Sequence, residues 1–161
     1  MKSVNKIPET DKKNTSKTVT EKNPISKEEY NEITKGLDLK SITLVDLQAS
    51  VDRSSTLEAM EKGSLTVNID DDARFEPDSI IRVFQSYQIS CRTGRKKCLS
   101  IKASYELVFL SAEPFTENFF SVFRAGNLPL TVWPYFRELA QDMTTRMGLP
   151  PLVLPLLKFE P

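Results

Sequence analysis

The sequence predicts an α+β fold: a four-stranded antiparallel sheet with one long helix, about residues 133–147, packed on one side. Three observations predict it. The ten prolines all avoid residues 78–113, and a proline-free window suits strands inside a sheet, where a missing N–H would break the ladder. Within that window apolar and polar residues alternate along two long runs, the period of half-buried strands. After it the apolar spacing changes to that of a helix.

Residues 1–26 hold five apolar residues, Met1, Val4, Ile7, Val19 and Ile25. Such a segment buries too little surface to offset its ordering entropy, so it reads as a disordered arm. Up to Pro24 it carries six lysines against three acids. It is either a solvated tail or an electrostatic tether to an acidic surface. Residues 27–161 form the single folded domain.

Ser26-Lys27-Glu28-Glu29 is a capping-box pattern that starts a short helix over 27–35. Tyr30 and Ile33 share one of its faces, and Gly36 closes it. Residues 37–51 give a strand whose phase slips between Ile42/Leu44 and Leu47/Ala49/Val51, which predicts a β-bulge near Val45-Asp46. Leu65, Val67 and Ile69 mark a shorter strand. Ile81 to Cys91 and Leu99 to Phe109 then alternate around the polar turn Arg92 to Lys97, forming a long hairpin. Four strands with one apolar face suffice for a stable sheet.

Val132, Tyr135, Phe136, Leu139, Ala140, Met143 and Met147 follow helical spacing. Pro134 fits only a first turn and Gly148 is a natural stop, so the helix is placed at 133–147. It covers the apolar face of the sheet. Phe115, Phe119, Phe120 and Phe123 precede it, and residues 149–159 follow with seven apolar side chains in eleven, broken by Pro150, Pro151 and Pro155.

Composition excludes several functions. The chain has 161 residues, 22 basic and 22 acidic, and no histidine. His-based catalysis and His metal ligation are therefore absent. Two cysteines cannot complete a four-thiolate zinc site. A zero net charge does not suit a dedicated nucleic-acid binder. No run of 18 apolar residues spans a membrane, and the polar N-terminus has no signal core. No P-loop or dinucleotide fingerprint is present. These readings favour a cytoplasmic binding protein without cofactor, metal or catalytic residues.

Three smaller features have plain readings. Strand parity puts Cys98 on the opposite face from Cys91, and only a bulge beside the turn would bring them together, so both read as free thiols. Asp70-Asp71-Asp72 reads as a solvated loop, because successive side chains diverge on an extended chain and converge poorly on one ion. The turn Arg92 to Lys97 has four cations in six residues. It is either a solvated hairpin tip or a grip for phosphate or an acidic partner, and without aromatics it does not suit single-stranded nucleic acid.

The unusual feature is apolar and late. Phe115, Phe119, Phe120, Phe123, Trp133, Tyr135, Phe136 and the cluster 149–157 exceed what one helix on four strands needs to bury. A surplus of this kind marks an oligomer interface or binding groove, unless the tail folds back as core.

The segment Gly126-Asn127-Leu128-Pro129-Leu130-Thr131-Val132-Trp133-Pro134-Tyr135-Phe136-Arg137-Glu138, followed by Arg146 to Pro151 and the Leu-rich stretch, resembles the SecB family of export chaperones and its SecB-like relatives. Pro134-Tyr135-x-Arg137-Glu138 opening a long helix is the specific part, and the resemblance spans about 37–157. It implies a SecB-like fold, a homotetramer with the 133–147 helices at the interface, and unfolded polypeptide clients held in apolar grooves without ATP. Several weak segments would then bind together through effective concentration. The groove residues it suggests are Phe115, Phe119, Phe120, Trp133, Leu149, Leu152 and Leu154, with Tyr135, Leu139 and Met143 at the interface.

Some positions depart from the family. The exporters dock the motor SecA through sheet carboxylates, but Ser41 and Val45 stand where two of these are expected, and Lys102 near a third. The exporters also continue into a second long helix beyond the position of Pro161. These features resemble SecB-like members more than standard exporters, and some such relatives protect an aggregation-prone antitoxin in toxin–antitoxin systems. The alternative function is a dedicated module for one folded partner, bound through the basic turn and the arm and sensitive to salt.

Overall fold

The computed structural model describes residues 25–64, 66–76 and 80–157, of which 66–69 by backbone alone. The lysine-rich arm up to Pro24, together with Leu65 and Phe159, lies outside the described residues. The elements run α1 Lys27–Lys35, β1 Leu37–Val51, α2 Arg53–Glu61, β2 Thr66–Glu76, β3 Ile81–Thr93, β4 Lys96–Ser111, α3 Glu117–Ala125 and α4 Asn127–Arg146. The strands form one antiparallel sheet in the order β1-β4-β3-β2.

The alternating runs of β3 and β4 behave as their period dictates. Val83, Tyr87, Ile89, Leu99, Ile101, Ala103, Leu107 and Phe109 are buried on one face. That face meets the helices: Tyr87 stacks on Phe136 of α4 at 5.0 Å, and Phe109 meets Phe123 of α3 edge-on at 5.9 Å.

β1 reaches the same face by two bulges, not one. Register shifts fall between Leu39 and Ser41 and between Leu44 and Asp46. The second is the bulge expected near Val45-Asp46. The first corrects an earlier slip, from odd Leu37 and Leu39 to even Ile42 and Leu44. Each bulge adds one residue and so returns the apolar series to its face. Leu39, Ile42, Leu44, Leu47 and Ala49 thereby oppose Phe109, Leu107, Tyr105, Ala103 and Ile101. Yet α4 packs over β3 and β4, and on β1 Leu39, Leu44 and Leu47 stay exposed.

Three sequence expectations are corrected, and one element stands where none was expected. The long helix starts at Asn127, six residues early, and runs through Pro134. Burial of Val132, Trp133 and Phe136, about 1.5–3 kcal/mol for each large apolar side chain, outweighs the ~3 kcal/mol cost of an interior proline. The helix does stop before Gly148, whose φ of 71° is the left-handed conformation that glycine supplies. Asp70, Asp71 and Asp72 are not a loop; they pair with Gln88, Tyr87 and Ser86 inside β2. α2 was not foreseen: the Asp52 carboxylate caps it by accepting from the Ser55 N–H at 3.1 Å, and few apolar residues mark its face.

The third correction concerns the face on which Cys98 lies. A register shift between Cys91 and Arg92 turns Cys98 inward. Its S–H donates to the Cys91 carbonyl at 3.3 Å, and both are buried free thiols. Burial, with Cys98 beside it, pushes the Cys91 thiol up to about 11.

Candidate functional site

Two aromatic groups sit on the apolar face. The first gathers around α3. Thr116 caps this helix by accepting from the Phe119 N–H at 3.2 Å, and the spacing of Phe119, Phe120 and Phe123 points all three inward. Phe119 meets Phe115 at 4.9 Å and Phe123 at 5.5 Å, and Phe120 meets Phe75 of β2 at 4.7 Å. From the other side Tyr30 of α1 stacks on Phe119 at 5.1 Å. The second group is Tyr87, Trp133 and Phe136 beneath α4.

Beyond α4 the chain turns back along it. Residues 149–157 form a strap without regular secondary structure. The Trp133 Nε1–H donates to the Pro155 carbonyl at 2.9 Å, and the Arg137 Nε–H donates to the Leu154 carbonyl at 2.9 Å. The Leu152 N–H donates to the Thr144 hydroxyl at 3.0 Å. Leu149 and Leu154 are buried against the core, while Val153 and Leu156 are each 69% exposed.

The expected groove residues therefore fall into two places. Phe115, Phe119 and Phe120 are buried in the α3 cluster, and Trp133, Leu149, Leu152 and Leu154 meet at the strap, where only Leu152 is half-buried. Of the expected interface residues, Tyr135 is exposed and Leu139 and Met143 are half-buried on α4. Arg137 and Thr144 were missed as site residues. Arg137 was visible within the Pro134-Tyr135-x-Arg137-Glu138 motif; Thr144 left no signal, because a lone threonine in a helix looks neutral.

The sheet's other face is polar. Gln48, Lys102 and Gln88 lie side by side across β1, β4 and β3. Ser41 and Val45 are exposed on β1. Among the described residues no three His, Cys, Asp or Glu side chains converge to hold a metal ion, and no helix is long and apolar enough to cross a membrane.

This architecture matches a solved one. The Mycobacterium tuberculosis SecB-like chaperone Rv1957, solved in complex with a ChAD peptide from the HigA1 antitoxin Rv1956, superposes with a TM-score of 0.66. The match covers 81% of this chain and 96% of that one, at 20% sequence identity. The fold is SecB-like. A protein of unknown function from Streptococcus agalactiae aligns at a TM-score of 0.40 and 13% identity, over 74% of this chain and 97% of its own. No protein-family model and no curated protein matches the sequence. Within the SecB-like fold, the Pro134-Tyr135-x-Arg137-Glu138 motif lies inside α4, and Trp133 and Arg137 beside it hold the strap.

Proposed function

We propose that this protein is an ATP-independent holdase that captures unfolded or aggregation-prone polypeptides. The observation that carries this reading is the SecB-like fold, matched over nearly the whole of a chaperone solved with an antitoxin peptide. Surface chemistry supports it: Val153 and Leu156 on the strap, Tyr135 on α4 and the Leu39/Leu44/Leu47 row on β1 are apolar and exposed. Adaptable apolar side chains suit many client sequences.

The working form is a homotetramer. β1 supports self-association, since a 15-residue edge strand with an apolar row invites pairing. Tyr135, Leu139 and Met143 on α4 supply a second contact. The client is of the antitoxin kind rather than an export cargo: Ser41 and Val45 lack the carboxylates that docking on SecA would use. The protein works in the cytoplasm.

Aggregation suppression tests the reading. A chemically unfolded client is diluted into buffer without ATP, with and without the protein, and light scattering is followed. Suppression near one tetramer per client is expected. No suppression at several-fold excess would leave the alternative, a module for one folded partner, whose binding is lost in moderate salt or on deletion of residues 1–25.

A further inference from the structure

The hydrogen bonds that α4 makes to the strap do not depend on the strap's own sequence. Trp133, Arg137 and Thr144 lie four and eleven residues apart, so at roughly 100° per residue they form one stripe within about 40° on α4. On the strap, all three bond backbone groups, at Pro155, Leu154 and Leu152, and the Thr144 hydroxyl also donates within α4, to the Ala140 carbonyl at 2.9 Å. Two strap side chains are buried, Leu149 at the hinge and, beyond it, Leu154 at 2% exposure. Any extended segment offers the same carbonyls and N–H groups, and any with an aliphatic residue at the matching position fills the place of Leu154.

The strap is also hinged. Gly148 has φ +71°, and a Cβ there would lie 3.0 Å from the Arg53 guanidinium. Arg53 Nε–H donates to the Gly148 carbonyl at 3.2 Å. The chain is therefore fixed at 148 and held beyond it by a few hydrogen bonds and two buried leucines, without strand pairing. Segments held this way open at the low end of the stability range.

We propose that the Trp133–Arg137–Thr144 stripe is a receptor for an extended apolar segment of an unfolded polypeptide, and that residues 149–157 occupy it as an internal stand-in until a client displaces them. This rests on the holdase reading and assigns its site and its regulation. The client segment takes the place of the strap, with its carbonyls on Trp133 and Arg137 and one aliphatic side chain where Leu154 sits. A released strap then presents its own leucines beside the groove.

Glu138 and Val153 are both exposed and line opposite sides of the same cleft. In the double variant Glu138→Cys/Val153→Cys a short bismaleimide ties the strap down, and a monofunctional maleimide gives a capped, untied control. Cys91 and Cys98 are buried and stay out of the reaction. Affinity for a permanently unfolded, fluorescently labelled client is then compared. The tied form is expected to bind about tenfold more weakly than the capped form. Equal binding by both overturns the strap inference and leaves the holdase reading standing. Binding by neither, nor by the unmodified protein, removes the holdase reading and the strap inference together. Hydrogen exchange gives an independent readout: adding client should speed exchange at Leu152, and protection that persists in the complex overturns displacement.

Discussion

Lys96 Nζ lies 2.6 Å from Asp52 Oδ2, joining the basic turn to the residue that caps α2. One of the turn's four cations therefore has an internal partner. The bond from Lys96, with those from Ser55, lowers the Asp52 carboxyl to about 2. A carboxyl depressed in the folded state adds stability above its unfolded value of 3.8, and that stability is lost as pH falls towards 2. Acid titration should therefore show a loss of stability between these values. In Asp52→Asn, which keeps a capping oxygen, that part of the slope should vanish.

The contact between Tyr30 and Phe119 ties α1 to the body of the protein. A nine-residue helix is too short to be stable alone, so its docking rests on Tyr30 and Ile33. Tyr30→Ala should lower stability by about 1–2 kcal/mol in urea unfolding. Phe119→Ala should cost about 3–5 kcal/mol, because its ring is fully buried. A client-binding defect in a Phe119 variant is informative only if the fold is shown intact.

Beneath α4, the buried hydroxyls of Tyr87 and Tyr105, and Gln85 Oε1, find no hydrogen-bond partner among the described residues. An unsatisfied buried group costs about 1–3 kcal/mol. Tyr87→Phe and Tyr105→Phe should thus be neutral or stabilising, by about 1 kcal/mol at most. Burial, with the Glu138 charge nearby, pushes Tyr105 up to about 12 from 10.0. A raised pKa contributes stability below the unfolded value, and it is lost as pH rises through 10 towards 12. Tyr105→Phe should flatten the alkaline limb. A clear destabilisation at neutral pH would mean that the hydroxyl finds a partner in the assembled protein.

The apolar row on β1 gives a prediction about assembly. Leu44 is 42% exposed on the apolar face, over β1, where the helices do not reach. Leu44→Lys should reduce the mass measured by light scattering after size exclusion, with native circular dichroism, because a charge on an edge strand blocks pairing. An unchanged mass would remove β1 from the interface.

The sheet was legible because alternation reports which side of a strand is buried. Leu99 to Phe109 carried that signal without interruption, and Ile81 to Cys91 with only Gln85 breaking the apolar series. β1 was legible in part: one of its two bulges was visible as a parity slip, and the other was hidden because Leu37 and Leu39 alone are too short a series to define a phase. The cysteines were misplaced by the same weakness, since a bulge beside a turn leaves no mark in the alternation. α2 was lost because its helix depends on the Asp52 cap and on buried Thr56 and Ala59, neither of them strongly apolar. The aromatic surplus was read against one covering helix. α1, α3 and the strap also cover the sheet, and they account for the rings counted as excess other than Tyr135, which stays exposed. How the strap is held was not readable, since its bonds run to backbone groups that every sequence shares.

Prolines 150, 151 and 155 give the strap a property distinct from its role in the groove. A proline has no amide hydrogen, and the residue before it is kept from helical geometry. Of the remaining amides, those of Leu149 and Leu152 already donate within the molecule. The segment can therefore stick to other side chains but is a poor template for strand growth. Two copies meeting through Val153 and Leu156 would lack the regular backbone ladder that turns a transient encounter into a fibril. Its prolines act as gatekeepers, letting the protein display greasy surface at high concentration without seeding its own precipitation.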